Sequence, residues 1–259
     1  MDLGLEGKKA IVCASSRGLG KACAISLARE GVHVVINGRN EETLTTAEAE
    51  IVAIGAGGVT AVVADLNSES GRSDLIAACP DADILVNNND GPPPGIFNNW
   101  ARDDFQAAID ANFMAPVLLI QALLEGMKER RFGRIVNITS AMVKSPRAPM
   151  GLSTSARSGL TALCKGLSAE VAPFNVTINN MLPERFDTDR QKFMVKMAME
   201  FKGLTKEEAI AEINESIAAK RMGIPSEFGD ACAFLCSTQA GFISGQNLQL
   251  DGGSYAGLI

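Results

Sequence analysis

The stretch AIVCASSRGLGKACAISLA, residues 10–28, decides the fold. It opens on a short apolar run, passes through a turn holding Gly18 and Gly20, and continues with small and apolar residues at helical spacing. Strand, glycine turn and helix in that order form the start of a dinucleotide-binding βαβ unit. Gly18 and Gly20 let the backbone approach a pyrophosphate, whose charge sits at the N-terminus of the following helix. Ser15, Arg17 and Leu19 complete the candidate cofactor turn. A Gly-x-Gly alone is a weak signal, and the strand–turn–helix context strengthens it.

Outward from this unit, the same rhythm continues almost to the end of the chain. Strand-like runs at 8–14, 32–37, 59–65, 83–88, 134–139, 176–182 and 247–250 alternate with helical spacing at 18–30, 41–54, 103–130, 154–172 and 226–237. The strand runs are continuously apolar, which suits strands buried on both faces of a parallel sheet. The expected fold is therefore α/β: a single-domain, Rossmann-type doubly wound parallel sheet of about seven strands with helices on both faces. One domain spanning 1–259 is expected. Residues 189–221 interrupt the rhythm with two polar, Met-rich helical stretches. They read as a substrate lid, a solvated excursion or a subunit contact.

The second strand ends in VVINGRN, residues 34–40. An NAD-preferring site places an acidic residue there for the ribose 2′-hydroxyl. This chain has Gly38 followed by Arg39, with Arg17 in the glycine turn. Two arginines converging on one point suggest the 2′-phosphate of NADP(H), each favouring it by roughly tenfold or more. The plainer alternative leaves both facing solvent.

Composition narrows the classes. With 259 residues, 46% of them hydrophobic, a large core is expected. A net charge of −6 argues against nucleic acid as a partner. The densest basic run, MKERRFGR at 127–134, reads as a solvated helix end. No signal-like N-terminus and no run of about 18 apolar residues is evident, so a cytoplasmic location and no membrane partner are expected. Cys13, Cys23, Cys79, Cys164, Cys232 and Cys236 form no Cys-x-x-Cys and read as buried thiols. With His33 as its one histidine, the chain offers no His-based zinc site, and no metal is expected.

With these pieces the chain resembles the short-chain dehydrogenase/reductase family almost end to end. The family's Thr-Gly-x-x-x-Gly-x-Gly motif matches Cys13, Ala14, Gly18 and Gly20. Its acidic residue near the adenine matches Asp65, followed by Leu66. Its Asn-Asn-Ala-Gly motif matches NNND at 87–90, including Asn88, and its helical asparagine matches Asn112. The serine after the fifth strand matches Ser140, and the segment touching the nicotinamide matches Pro183 and Thr188. The resemblance implies a homotetramer or homodimer acting on a small carbonyl or alcohol.

The resemblance breaks at the family's catalytic Tyr-x-x-x-Lys. Those positions hold Ser153 and Arg157, and the chain's single tyrosine is Tyr255. A serine hydroxyl is too poor an acid near neutrality to replace the tyrosine, and losing a matched acid typically costs about 10²–10⁴ in rate. Arginine keeps its charge and holds a ribose better than it shuttles a proton. Lys165 lies two helical turns past Arg157. Family glycines are also replaced by Ala14, Asp90 and Glu184. The two carboxylates would repel the cofactor, serve as new acid–base groups if burial makes them hold a proton, or point away. A subgroup resembling 3-oxoacyl-carrier-protein reductases shares the serine–arginine helix start and a proline-rich loop like DGPPPG at 90–95.

Three readings follow. The first is an NADP-dependent oxidoreductase in which Ser140 polarises the carbonyl, Arg157 holds the ribose and Asn112 fixes a water. Its proton would come from that water, Lys144 or a carboxylate. The second is a cofactor-binding protein with little redox activity. The third is a non-redox enzyme, such as a lyase, using Asp90 and Glu184.

Overall fold

The computed structural model describes residues 1–55 and 57–258. Its strands are β1 (Lys9–Val12), β2 (His33–Gly38), β3 (Val59–Val63), β4 (Ile84–Asn87), β5 (Gly133–Ile138), β6 (Val176–Pro183) and β7 (Asn247–Leu250). The main helices are α1 (Gly18–Arg29), α2 (Glu41–Val52), α3 (Glu69–Ala78), α4 (Arg102–Ile109), α5 (Ala115–Glu129), α6 (Gly151–Val171), α7 (Asp189–Lys202), α8 (Lys206–Glu215) and α9 (Pro225–Cys236). All pairings are parallel, in the order β3-β2-β1-β4-β5-β6-β7. The order reverses between β1 and β4, and such a switch point opens a crevice at the strands' carboxyl ends.

Two cores, one per face, explain the continuous apolar strands. Ala10, Val12, Val34, Ile36, Ile84, Val86 and Val136 pack with helices α1, α2 and α9. Their sequence neighbours Ile11, Val35, Leu85 and Ile135 pack with α3, α5 and α6 on the other face. Successive strand side chains alternate between faces, so a strand covered on both sides is mostly apolar, and its buried polar residues such as Asn137 are hydrogen-bonded.

Several expectations need correcting. Helix α3 lacks a strong apolar stripe, buries only Gly71 and Leu75 along its length, and was not legible; its signal is the cap at Ser68, whose Oγ accepts from the Gly71 N–H. The expected helix 103–130 is three pieces, with a π-helical turn at Asp110–Met114 between α4 and α5. Together, 102–129 is long and apolar enough to cross a bilayer by length and composition only, as the core helix of a globular protein also can be. Here its Leu119, Ile120, Leu123 and Met127 lie in the core. The basic run 127–134 is not simply solvated. Arg134 is buried on β5 and donates to the carbonyls of Ser237, Gly133 and Asn175.

The helical excursion leaves and returns at one point. An isolated bridge joins Phe186 to Gly223. Helices α7 and α8 form a small core of their own around Val195, Ala209, Ile213 and Ile217, with Met199 packed against it. Phe193 and Phe201 remain exposed.

Candidate active site

The glycine turn lies at the carboxyl end of β1. Gly18 has φ +59°, a left-handed backbone that favours glycine, and a side chain there would meet only Thr188 Cγ2 at 4.0 Å. Gly20 is needed for a different reason: a Cβ would stand 2.5 Å from the Ala14 carbonyl oxygen. Helix α1 begins at Gly18 with Arg17 as its N-cap, no side-chain cap and no acidic residue in its first turn. By contrast, α2 is capped by Asn40 and carries Glu41 and Glu42. The open, uncapped N–H groups of α1 fit a pyrophosphate.

Ala14, where the family motif has glycine, sits at φ +45°. The strain of a left-handed alanine is about 1–2 kcal/mol, partly offset by the roughly 0.5–1 kcal/mol entropic cost of glycine. An Ala14→Gly variant is therefore expected to melt at or above the wild-type temperature, by up to about 1 kcal/mol of stability. Thermal denaturation checks this.

Of the predicted cofactor residues, Asn88 and Thr188 lie against this turn, and the others are held elsewhere or within it. The Ser15 hydroxyl donates to the Val12 carbonyl at 2.6 Å and accepts from the Asn37 N–H at 2.9 Å, and its own N–H donates to the Asn37 carbonyl at 2.8 Å, so this fully buried residue braces the turn from within. Leu66 is buried in the core, and Leu19 packs half-buried against the other. Asp65 is exposed and accepts from the Asn67 N–H. Asn88 ties β4 to the turn by donating to the Ala14 carbonyl. Pro183 ends β6 and pairs with Leu250. Thr188 caps α7 opposite Gly18.

The two arginines do not both lie free for a phosphate. Arg17 is exposed at the turn, but Arg39 forms an ion pair with Asp90, 2.5 Å apart. Asp90 is therefore neither buried nor unpaired, and its side chain is 66% exposed. Glu184 is likewise engaged, at 3.0 Å by Arg147 and 3.9 Å by Arg185. The expected raw repulsion between these carboxylates and a cofactor is thus tempered by arginines supplied from elsewhere in the chain.

Of the catalytic candidates, Arg157 and Ser153 touch directly, and Asn112 joins them through the Asn89–Asp90 segment. Arg157 is buried on α6, and its guanidinium donates to Ser153 Oγ (3.1 Å), the Ile138 carbonyl (2.6 Å) and the Asn89 carbonyl (3.3 Å). Burial pushes its pKa down to about 10, with Arg190 lowering it further and Asp90 opposing. It remains a cation at neutral pH. Gly91 lies against this group: a Cβ there would be in ordinary contact with Arg157 Nη2, at 3.5 Å.

Ser140 caps a 3-10 turn at Ala141–Val143, and its Oγ accepts from the Met142 N–H at 3.2 Å. Its own proton is left to donate. Asn112 sits in the π turn, a geometry frequent at functional sites. Its Nδ2 donates to the Asp90 carbonyl, while its buried Oδ1 has no partner among the described residues. Lys144 Nζ lies 5.5 Å from the centre of the Tyr255 ring. Lys165 points elsewhere, donating to the Gly245 carbonyl.

Beside Ser140 lies a recess of about 180 Å³ lined by Ala141, Ser145, Arg147, Glu184 and Tyr255 among others. Asn89, Gly91, Arg147 and Arg190 were not singled out as site residues from the sequence. Arg190 Nη2 donates to the Pro92 carbonyl and so ties α7 to the proline loop. The one available signal was Arg147, which stands in the same loop as Ser140.

Among the described residues, no cluster of three or more His, Cys, Asp or Glu could hold a metal ion. The six cysteines are free and buried, and burial pushes the Cys13 thiol up to about 12. His33 shares a hydrogen bond with Thr60 Oγ1 at 3.0 Å, a satisfied strand residue.

Comparison with known proteins places this geometry. A family model described as enoyl-(acyl carrier protein) reductase matches residues 13–255. The NADPH-dependent reductase BacG of Bacillus subtilis (strain 168) is 32% identical over 255 residues, covering 96% of this chain and 98% of that protein. The 3-oxoacyl-[acyl-carrier-protein] reductase FabG of Vibrio cholerae is 31% identical over 256 residues, 98% of this chain and 99% of that protein. The crystal structure of L-sorbose reductase from Gluconobacter frateurii, complexed with NADPH and L-sorbose, superposes with a TM-score of 0.93 at 27% identity, over 100% of both chains.

Proposed function

Because the chain belongs to the short-chain dehydrogenase/reductase family, we propose that it is an NADP(H)-dependent oxidoreductase of a small carbonyl or alcohol substrate, akin to the 3-oxoacyl reductases, with a non-standard proton donor. The single observation that carries the reading is the uncapped α1 N-terminus behind the Gly18–Gly20 turn, with Arg17 and Arg39 beside it. The relatives described as NADPH-dependent support the same cofactor. The bound dinucleotide supplies or accepts the hydride at the substrate carbon.

The chain's own residues then bind, orient and handle the proton. Ser140, its acceptor side occupied by Met142, directs its O–H to the substrate oxygen. Arg157 presents guanidinium protons beyond its three internal bonds to the nicotinamide ribose hydroxyls. Ser153 takes the family tyrosine's place, but its oxygen accepts from Arg157, so it positions rather than donates. Asn112 Oδ1 is the acceptor that would hold a water relaying a proton from bulk solvent to the substrate oxygen, each proton given up being replaced from solvent. Helices α7 and α8 act as a lid hinged where Phe186 meets Gly223, closing on the recess beside Ser140. The reading carries with it a cytoplasmic homodimer or homotetramer.

A second reading rests on one observation: Ser153 and Arg157 are spent on each other and on internal carbonyls. That favours a protein that binds NADP(H) with little turnover. The lyase reading is weakened, because its two carboxylates are each engaged by arginine.

Calorimetric titration with NADPH and NADH tests the proposal. NADPH-selective binding is expected, and an Arg39→Ala variant should lose about tenfold of that selectivity. Binding of neither dinucleotide would overturn the reading. NADPH oxidation in the presence of a panel of 3-oxoacyl thioesters and ketoses then separates the oxidoreductase from the binding protein.

A further inference from the structure

We propose that Asp90 is a cofactor-discriminating residue: its carboxylate holds Arg39 as an internal rival of the ribose 2′-phosphate, which must displace it to bind. The inference rests on the NADP reading above and adds a residue that opposes it.

The geometry is set by strand order. Arg39 follows β2 and Asp90 lies just beyond β4, and β1 runs between those strands. Their ion pair therefore spans the carboxyl end of β1, where the glycine turn begins. The turn lies against both sides. A Cβ on Gly38 would stand 3.0 Å from Ser16 Cβ, and Asn88 donates to the Ala14 carbonyl. A dinucleotide with its pyrophosphate at the α1 N-terminus would bring its adenosine half toward this pair.

Asp90 is not on a loose loop. Its N–H donates to Asn89 Oδ1 at 2.9 Å, and its carbonyl accepts from Asn112 Nδ2 at 3.2 Å. Asn89 in turn donates to Asn67 and to the Ala111 carbonyl, while its own carbonyl accepts from Arg157. With its backbone fixed from several sides, Asp90 keeps its carboxylate within side-chain reach of Arg39. A dianionic 2′-phosphate arriving at Arg39 meets both a competitor for the guanidinium and a like charge beside it. NADH carries no such group and leaves the pair intact. Once released, the carboxylate stays in the field of the buried Arg157.

An exposed ion pair is worth up to about fivefold in an equilibrium, and removing the neighbouring like charge adds to that. Asp90→Asn, which keeps the shape and drops the charge, is therefore expected to tighten NADPH binding by roughly three- to tenfold. Adenosine 2′,5′-bisphosphate should gain equally, since it carries the phosphate without the nicotinamide. NADH and 5′-AMP should be unchanged. The gain should shrink in the Arg39→Ala background and at higher ionic strength.

Calorimetry with these four ligands on wild type, Asp90→Asn, Arg39→Ala and the double variant decides the matter. Wild type selecting NADPH while Asp90→Asn leaves it unchanged or weaker would overturn the inference and leave the NADP reading standing. An equal gain for NADH would also overturn it, by showing a general field effect. If neither wild type nor Asp90→Asn binds any ligand, the NADP reading fails and the inference with it.

Discussion

An Arg157→Ala variant is expected to melt about 5–10 °C below wild type and to bind NADPH at least about tenfold more weakly. Removing the guanidinium strands two buried acceptors, Ser153 Oγ and the Ile138 carbonyl, and the part-buried Asn89 carbonyl. Each unsatisfied buried group costs about 1–3 kcal/mol, and relief from burying a cation offsets part of this. A net loss of about 2–4 kcal/mol remains, and a chain of this size shifts by roughly 2–4 °C per kcal/mol. Differential scanning calorimetry and NADPH titration read the two effects separately.

The conservative variant separates a binding role from a merely structural one. Burial lowers the folded-state pKa of Arg157 to about 10, below its ordinary 12.5. The cost of burying the charge is therefore paid in full below about pH 10, and stability rises only as pH climbs from there toward 12.5. Wild type should show no pH dependence from this group between pH 6 and roughly 9. Lysine starts from an ordinary value near 10.4, and the same burial lowers it further. Arg157→Lys should thus recover part of the NADPH affinity at pH 7 and lose it on titration toward pH 9. Equal pH profiles for the two proteins would remove Arg157 from the binding site.

Gly20→Ala is the second large effect expected, with a loss of about 1–3 kcal/mol and at least about tenfold in NADPH affinity. The added Cβ would meet the Ala14 carbonyl oxygen at 2.5 Å and Asn88 Nδ2 at 3.0 Å. The first contact is backbone, so the turn must shift, breaking the bond by which Asn88 holds it. Gly18→Ala is the informative control. Its Cβ has open space, so its cost is the left-handed strain alone, about 1–2 kcal/mol. If both variants melt together and bind alike, the close approach at Gly20 has been misjudged.

The sequence by itself determined the seven apolar runs, the glycine turn and the serine–arginine pair one helical turn apart. Each is a short-range property: a strand buried on both faces is apolar along most of its length, and Ser153 and Arg157 at i and i+4 on α6 share a face. Helix α3 escaped because Gly71 and scattered polar residues blur its period, leaving a cap as its main mark. Tertiary structure alone decided the charges. Arg39 and Asp90 are 51 residues apart, Arg147 and Glu184 are 37 apart, and neither pairing has a local signature. Arg39 looked free for a phosphate and Asp90 looked like an intruder until strand order set the ends of β2 and β4 on either side of β1. Ion pairing depends on distance through space, and only the sheet's order fixes which strand ends are neighbours.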